Sequence, residues 1–503
     1  MTVAQQALDA KQQRTQMGSS SFSRTVAVLG TSYGGARAAI LLAQNLPENW
    51  RVVVVDRNSH MNHLYVLPRY AILPEHAHKA FIPYNTMFHL PGESPASNST
   101  NAVVLHAQVT SLTPHTVSLS RAFPEHGITE PSRTLHFDYV VYALGSHLPA
   151  PIDLWGPVGD EKDVSTVATG VDQADGAHHT TGLSASSTVG VPSAASAHSY
   201  QGTKAEGIEW LQHSHDRIEM ASSVLVVGGG PLGVQYASDI GEVYPNKHIT
   251  LLHSRDRLLP AFEESMHKEV MSSMAALNVN VILGERLDLH SIKEGKTVTM
   301  PDGKKERVVR TLSGLEIRAE LILLCTGQNP NTALIVEAIP DAVISDGPKK
   351  GLIRVARTMQ IAAPMTSTIG LSTAISKMSI ADSQQADENL RVPYPHLFAI
   401  GDAVDAFGAQ KAGRNSFYQA EVAVRNILKM IERSERGEDP TKGVQLEHYK
   451  PGPPGIKITL GLRKMVWQID GRTQSTMSGV PDMDVRRMWE FYGIDTDDAG
   501  MHA

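Results

Sequence analysis

The chain has 503 residues, 41% hydrophobic and 19% charged, which is enough apolar content to bury a sizeable core and to exclude wholesale disorder. Its formal net charge of -7 argues against nucleic acid as a partner, because affinity for phosphates needs clustered Lys and Arg. The single cysteine, Cys325, excludes an internal disulfide, a Cys-x-x-Cys redox pair and every multi-cysteine metal site.

Residues 1–24 are rich in Gln and Ser and lack an apolar run, so a disordered tail is expected there and not a secretory signal. Ordered sequence begins at Thr25 with an apolar run that ends in Gly30. A helical pattern from Ala36 to Leu46 and a second apolar strand from Arg51 to Asp56 complete a βαβ unit. The unit leads into Asp138–Gly145, an apolar strand ending in glycine, and a first domain is expected over 25–155. Residues 156–203 are expected to form a disordered insertion. Thr181 to Tyr200 holds no charge and is half Ser and Ala, too little apolar area to offset ordering entropy.

The plan then repeats over 204–327: the strand Val224–Val227, a glycine turn, a helix through Val243, the strand His248–Leu252 and a closing strand Glu320–Gly327. Residues 328–436 return to the first domain, and 437–503 form a small C-terminal domain with an alternating strand at Ile456–Leu462. The architecture expected is α/β, with two Rossmann-like dinucleotide-binding domains, the first split around the second, plus a small α+β interface domain.

The first glycine turn, Gly30-Thr-Ser32-Tyr-Gly34-Gly35, reads in two ways. As G-x-S-x-x-G, Gly30 makes the strand-to-helix turn, Ser32 replaces the middle glycine, and Gly35 lets the helix approach the strand. As G-x-S-x-G it is the nucleophile elbow of a serine hydrolase. Asp56 decides for the first reading. It ends the second strand 21 residues after Gly35, where an acid hydrogen-bonds the ribose of a dinucleotide. The second turn, Gly228-Gly-Gly230-Pro-Leu-Gly233, is a full G-x-G-x-x-G, and two copies in the same context indicate two dinucleotides. The matching acid is missing after Leu252, and Arg255 and Arg257 follow, so a 2′-phosphate is admitted and NADPH is expected at least as much as NADH. A third signal, Leu397–Ala403, delivers Asp402 next to Gly401, as needed at the ribityl and phosphate region of a flavin. The His76/His78, His178/His179 and His213/His215 pairs have no carboxylate at ligand spacing, and no metal is expected. His60 and His63 are better candidates for touching flavin or substrate, and Cys325 reads as a buried packing thiol.

The order of these motifs resembles the two-dinucleotide flavoproteins of the pyridine nucleotide-disulfide oxidoreductase superfamily. Within it the chain is most similar to the apoptosis-inducing-factor-like NAD(P)H oxidoreductases, which include the ferroptosis-suppressor type of quinone reductase. The matching stretches are Asn62–Tyr65 with Arg69, Val224–Asp239 with Tyr244-Pro245, Cys325–Gly327, Phe398–Ala403 with Lys411–Asn426, and Tyr449–Gly452. They span about residues 24–155 and 204–475.

The resemblance implies FAD and NAD(P)H as cofactors. Gly30, Ser32, Gly35 and Asp56 would hold the FAD adenosine diphosphate, Arg69 would approach the flavin, and Asp402 the ribityl phosphate. Lys411 would lie close to the isoalloxazine, and Gly228, Gly230, Gly233 and Arg255 would hold the nicotinamide dinucleotide. Lys204 matches a family lysine. Gln235 departs from the pattern, standing where many relatives have Glu. The function expected is hydride transfer from NAD(P)H to FAD and electron transfer to a small-molecule acceptor, a quinone by resemblance. The other reading is a flavin-containing, redox-responsive signalling or scaffold protein. A monomer or homodimer, cytoplasmic or else mitochondrial or peripheral on a membrane, is expected. Any membrane contact would run through the cationic and aromatic stretch Arg486–Tyr492.

Overall fold

The computed structural model describes residues 22–84, 86–88, 101–147, 202–365 and 389–502. Most of the expected N-terminal tail, and all of the expected insertion except Gly202 and Thr203, lie outside the described residues.

Strand β1 (Arg24–Leu29) runs into helix α1 (Gly34–Asn45) and returns as β2 (Trp50–Asp56). β1 and β2 pair in parallel from Arg24↔Trp50 to Leu29↔Val55. Val52–Val55 are all buried, which is why β2 reads as an unbroken apolar run and not as an alternation. β3 (Ala102–His106) joins beyond β2, and β4 (Tyr139–Tyr142) pairs on the other side of β1.

After helix α2 (Lys204–Met220) the plan starts again with β5 (Ser223–Val227), α3 (Pro231–Val243), β6 (His248–Leu252), β7 (Asn280–Ile282) and β8 (Leu321–Leu324). The four strands lie in the order β7-β6-β5-β8, all parallel. β9 (Leu397–Ala399) comes back to pair with β4, so the first sheet reads β9-β4-β1-β2-β3. Each sheet thus sets its opening strand between the second and the closing one. Helix α4 (Gly413–Glu435) then packs on the first domain against α1.

The chain crosses between the domains twice, and the two crossings run side by side. Ser146 pairs with Pro330 and His147 with Asn329 in a short antiparallel ribbon. The C-terminal region supplies a three-stranded antiparallel sheet, β10 (Ile456–Leu460), β11 (Lys464–Ile469) and β12 (Arg472–Thr476), and a last short helix, α5 (Arg486–Phe491). β10 packs against α3, so this domain closes on the nucleotide modules and not on itself alone. Among the described residues no helix is long and apolar enough to cross a membrane.

Candidate functional site

The two glycine turns superimpose in their hydrogen bonding. Gly30 N–H donates to Val55 C=O at 2.8 Å, and Gly228 N–H donates to Leu252 C=O at 2.8 Å. Gly30 and Gly228 have φ of 93° and 123°, conformations that a side chain disfavours. A Cβ on Gly35 would collide with the Gly30 carbonyl, and one on Gly233 with the Gly228 carbonyl, so the last glycine of each motif serves the close approach of helix to strand. Gly230 is different: nothing lies within 4 Å of where its Cβ would be. Gly145 and Gly327, at the ends of the closing strands, face similarly open space, and beside Gly401 only the Ser416 Cβ comes within reach, at 3.8 Å. These glycines line a cradle at the strand ends of both sheets, the place where open parallel sheets bind ligands.

The helix starts above the cradles are bare. α1, α3 and α4 have no side-chain cap bond and no acid in the first turn. By contrast α2 carries a complete capping box of Thr203 and Glu206. Uncapped N-termini leave N–H groups and the positive dipole end available to an anion. The chemistry of this cradle fits two dinucleotide pyrophosphates, with α4 as a third positive end.

Asp56 is buried at the end of β2. Its Oδ2 accepts the Thr31 N–H at 2.7 Å and its Oδ1 the Asn58 N–H at 2.8 Å. Burial pushes its carboxyl up, against the pull of those two N–H groups. In the second domain the register puts His253 in the place of Asp56, and its Nδ1 accepts the Gly229 N–H at 3.0 Å. With Nδ1 accepting, the ring is the Nε2–H tautomer: a donor stands where the first domain has a carboxylate. Its Nε2 is buried without a hydrogen-bond partner, and burial first and the Arg255 charge second hold the imidazole below its ordinary value. Sequence reading found the missing acid and Arg255, and it missed this histidine. The signal was present, since Leu252 occupies the register position of Val55 and the next residue had to be the counterpart of Asp56.

Asp402 follows β9. The turn before it is pinned by Gln419 of α4, whose Oε1 accepts the Gly401 N–H at 2.7 Å. Burial raises the Asp402 carboxyl, the Lys411 charge opposes this, and Ser146 Oγ lies 3.4 Å from Oδ2. Lys411 is exposed, two residues ahead of the α4 N-terminus. Ser32, partly exposed, lies in the turn just before α1. Beside it the Tyr33 hydroxyl meets His63 Nδ1 at 2.8 Å, burial having drawn the imidazole down to about 4 and pushed the phenol up. The ring of Phe417 on α4 lies 6.4 Å from that of Tyr33 and the ring of Tyr65 6.1 Å from that of His63; Tyr65 is exposed, as are Leu64 beside it and Tyr418 next to Phe417 in the chain.

Two expected roles are corrected. Arg69 does not reach toward a flavin. It is fully buried, with its guanidinium forked onto Asp239 of α3 at 2.6 and 2.9 Å, and it also donates to Thr459 Oγ1 and the Gly461 carbonyl. It joins all three domains. Lys204 donates to the Met501 carbonyl at 2.6 Å beneath the Trp489 ring, so it holds the C-terminal segment in place of a substrate, and burial lowers it to about 8. Within Arg486–Tyr492, Trp489 and Tyr492 are buried, Phe491 is half-buried, and the arginines pair with Asp484, Glu490 and Asp495. Gln235 is buried with its amide on the Met483 sulfur at 3.4 Å. Cys325 is buried with its thiol pushed up by desolvation, an inert packing group. Among the described residues no group of three His, Cys, Asp or Glu side chains is placed to hold a metal.

Two like-built parallel domains, each with a glycine turn beneath a bare helix end, define a protein with two dinucleotide sites. The pyridine nucleotide-disulphide oxidoreductase profile matches residues 24–370, and the chain belongs to that family. Fe-regulated protein 8 of Mycosarcoma maydis is 35% identical over 482 residues, covering 94% of this chain and 96% of that one. Ferroptosis suppressor protein 1 of Taeniopygia guttata is 23% identical over 476 residues, covering 93% and 95%. The sulfide:quinone oxidoreductase of Aquifex aeolicus shares the fold with a TM-score of 0.55 at 13% identity, over 93% of this chain and 90% of that one. The protein is an apoptosis-inducing-factor-like oxidoreductase, and its cofactors are FAD and NAD(P)H.

Proposed function

We propose that this protein oxidises NAD(P)H and delivers the electrons to an external small-molecule acceptor of the quinone class. The observation that carries the proposal is the pairing of two open glycine cradles with a chain holding one cysteine, itself buried. With no cysteine pair in the chain, electrons have no internal disulfide to enter. When bound, FAD supplies the two-electron redox step between nicotinamide and acceptor.

The residues around it bind and orient. Asp56 and the α1 N-terminus hold one adenosine diphosphate, and Gly228, Gly230 and Gly233 under the α3 N-terminus hold the other. Asp402 holds the ribityl side. Lys411 and the α4 N-terminus supply positive potential where negative charge gathers on reduction. The hydrogen-bonded Tyr33–His63 pair holds a proton next to exposed apolar side chains that suit an aromatic acceptor, whose conversion to a quinol takes up two electrons and two protons. The quinone class rests on the sequence resemblance and on this apolar surround.

Stopped-flow spectroscopy tests the proposal. The purified protein is expected to show flavin absorbance that bleaches with NADH or NADPH and returns on adding a soluble quinone. Protein that takes up no FAD overturns the reading. Bleached flavin that quinones reoxidise no faster than dissolved oxygen, ferric complexes or cytochrome c removes the quinone assignment, and long-lived reduced flavin would favour a redox-responsive signalling role.

Nucleotide preference gives a second test. Arg255→Ala is expected to raise the KM for NADPH about tenfold or more, the worth of one charge-assisted hydrogen bond, with little change for NADH. His253→Asp is expected to shift preference toward NADH by restoring an acid that repels a 2′-phosphate. Equal effects on both nucleotides would remove these residues from the 2′ site.

A further inference from the structure

The backbone of Thr31 in the first glycine turn is held through both of its flanking peptide groups. Its N–H is bound by Asp56, and its carbonyl accepts the Tyr492 hydroxyl at 2.9 Å, from a residue 461 positions away. The corresponding carbonyl in the second turn, that of Gly229, accepts the Leu259 N–H at 2.8 Å from within its own domain. One turn is closed locally, the other by the end of the chain. We propose that the C-terminal segment, residues 481–502, is a clasp that completes the FAD site, with Tyr492 as the residue that positions the dinucleotide turn. The inference rests on the assignment of FAD to the first domain.

The segment is built to stay docked. Trp489 is buried and its indole N–H donates to the Lys79 carbonyl at 2.9 Å, while the Lys79 ammonium reaches Asp498 at 2.7 Å. Lys204 grips the Met501 carbonyl. Tyr492 is fully buried, and Phe491 before it stacks on Phe417 of α4 with ring centroids 5.2 Å apart. The segment therefore touches both the turn that receives the pyrophosphate and the helix whose N-terminus follows Lys411. With the peptide groups before and after Thr31 both clamped, the following N–H groups are held in place for phosphate oxygens before the ligand arrives, and less order remains to be imposed on binding. By linkage, FAD must in turn stabilise the docked segment.

The test uses full-length Tyr492→Phe and Trp489→Ala proteins and reads FAD release by the return of flavin fluorescence on dilution, with circular dichroism as the control for folding. Tyr492→Phe keeps the ring and loses one hydrogen bond, and release is expected to be about three- to tenfold faster. Trp489→Ala undocks the segment and is expected to accelerate release further. In the wild-type protein, FAD is expected to slow tryptic cleavage after Arg486 and Arg487. Unchanged release in Tyr492→Phe together with cleavage indifferent to FAD overturns the clasp, as does slower release, which would make the segment an obstruction. If Trp489→Ala does not fold, Tyr492→Phe and the cleavage assay still decide. A wild-type chain that retains no FAD sinks the cofactor assignment itself, an outcome distinct from retention unaffected by the variants.

Discussion

Arg69→Met is expected to lower the unfolding free energy by about 3–5 kcal/mol, because it leaves the Asp239 carboxylate buried without its cation. Both side chains of the pair are fully buried, and the guanidinium also serves Thr459 and Gly461 in the C-terminal domain. One substitution therefore loosens three domains together. The loss should depend on pH in a definite direction. Burial already pushes Asp239 up to about 6 with Arg69 beside it. Without Arg69 the folded-state value rises further, while the unfolded value stays near the ordinary range of about 4. A raised carboxyl binds its proton more tightly when folded, so the stability it contributes is present at low pH and is lost as pH rises through the folded value. The deficit of Arg69→Met relative to wild type should be larger at pH 8 than at pH 5 in chemical denaturation. A deficit independent of pH would show that Asp239 finds another partner. Arg69→Lys should recover little of it, since an ammonium cannot reproduce the fork onto two carboxylate oxygens.

Gly230→Val is expected to leave flavin content and fold intact and to slow flavin bleaching by NAD(P)H about a hundredfold or more. The scale is set by the cost of displacing a bound reactant by about 1 Å. The expectation follows from the contrast between neighbouring glycines. A side chain at Gly233 would strike the Gly228 carbonyl and force helix α3 off its strand, so Gly233→Val should lose folded protein. At Gly230 the added atoms meet no protein, and the space they fill is the space the pyrophosphate needs. Anaerobic stopped-flow at several NADH concentrations separates the two. Normal bleaching in a folded Gly230→Val protein would move the nicotinamide dinucleotide elsewhere.

The double βαβ plan was legible because each of its parts is local. A strand, a glycine turn and a helix follow one another within about 20 residues. The glycines are forced by a positive φ at Gly30 and Gly228 and by close approach at Gly35 and Gly233. Asp56 was legible for the same reason, since it closes a strand already in register with the first. The misassigned residues share the opposite property. Arg69 meets Asp239 across 170 positions, and Lys204 meets Met501 across 297. Nothing in periodicity or spacing reports such pairs, because packing between domains creates them. A buried arginine and a ligand-binding arginine look alike in a string of letters. His253 is the intermediate case: its role follows from counting the register of the second half-module against the first, a comparison that a search for a missing acid passes over.

The ribbon formed where the chain crosses between domains has a mechanical meaning. Two crossings paired as Ser146↔Pro330 and His147↔Asn329 cannot lengthen or slide independently, so they act as one stiff tether. The Arg69 fork is a second tether between the same two domains, anchored on α3. A body held at two separated points keeps at most one axis of rotation, and the C-terminal domain that also holds Arg69 resists motion about that axis. On the proposed function, nucleotide exchange is then expected to need no large swing of one domain against the other.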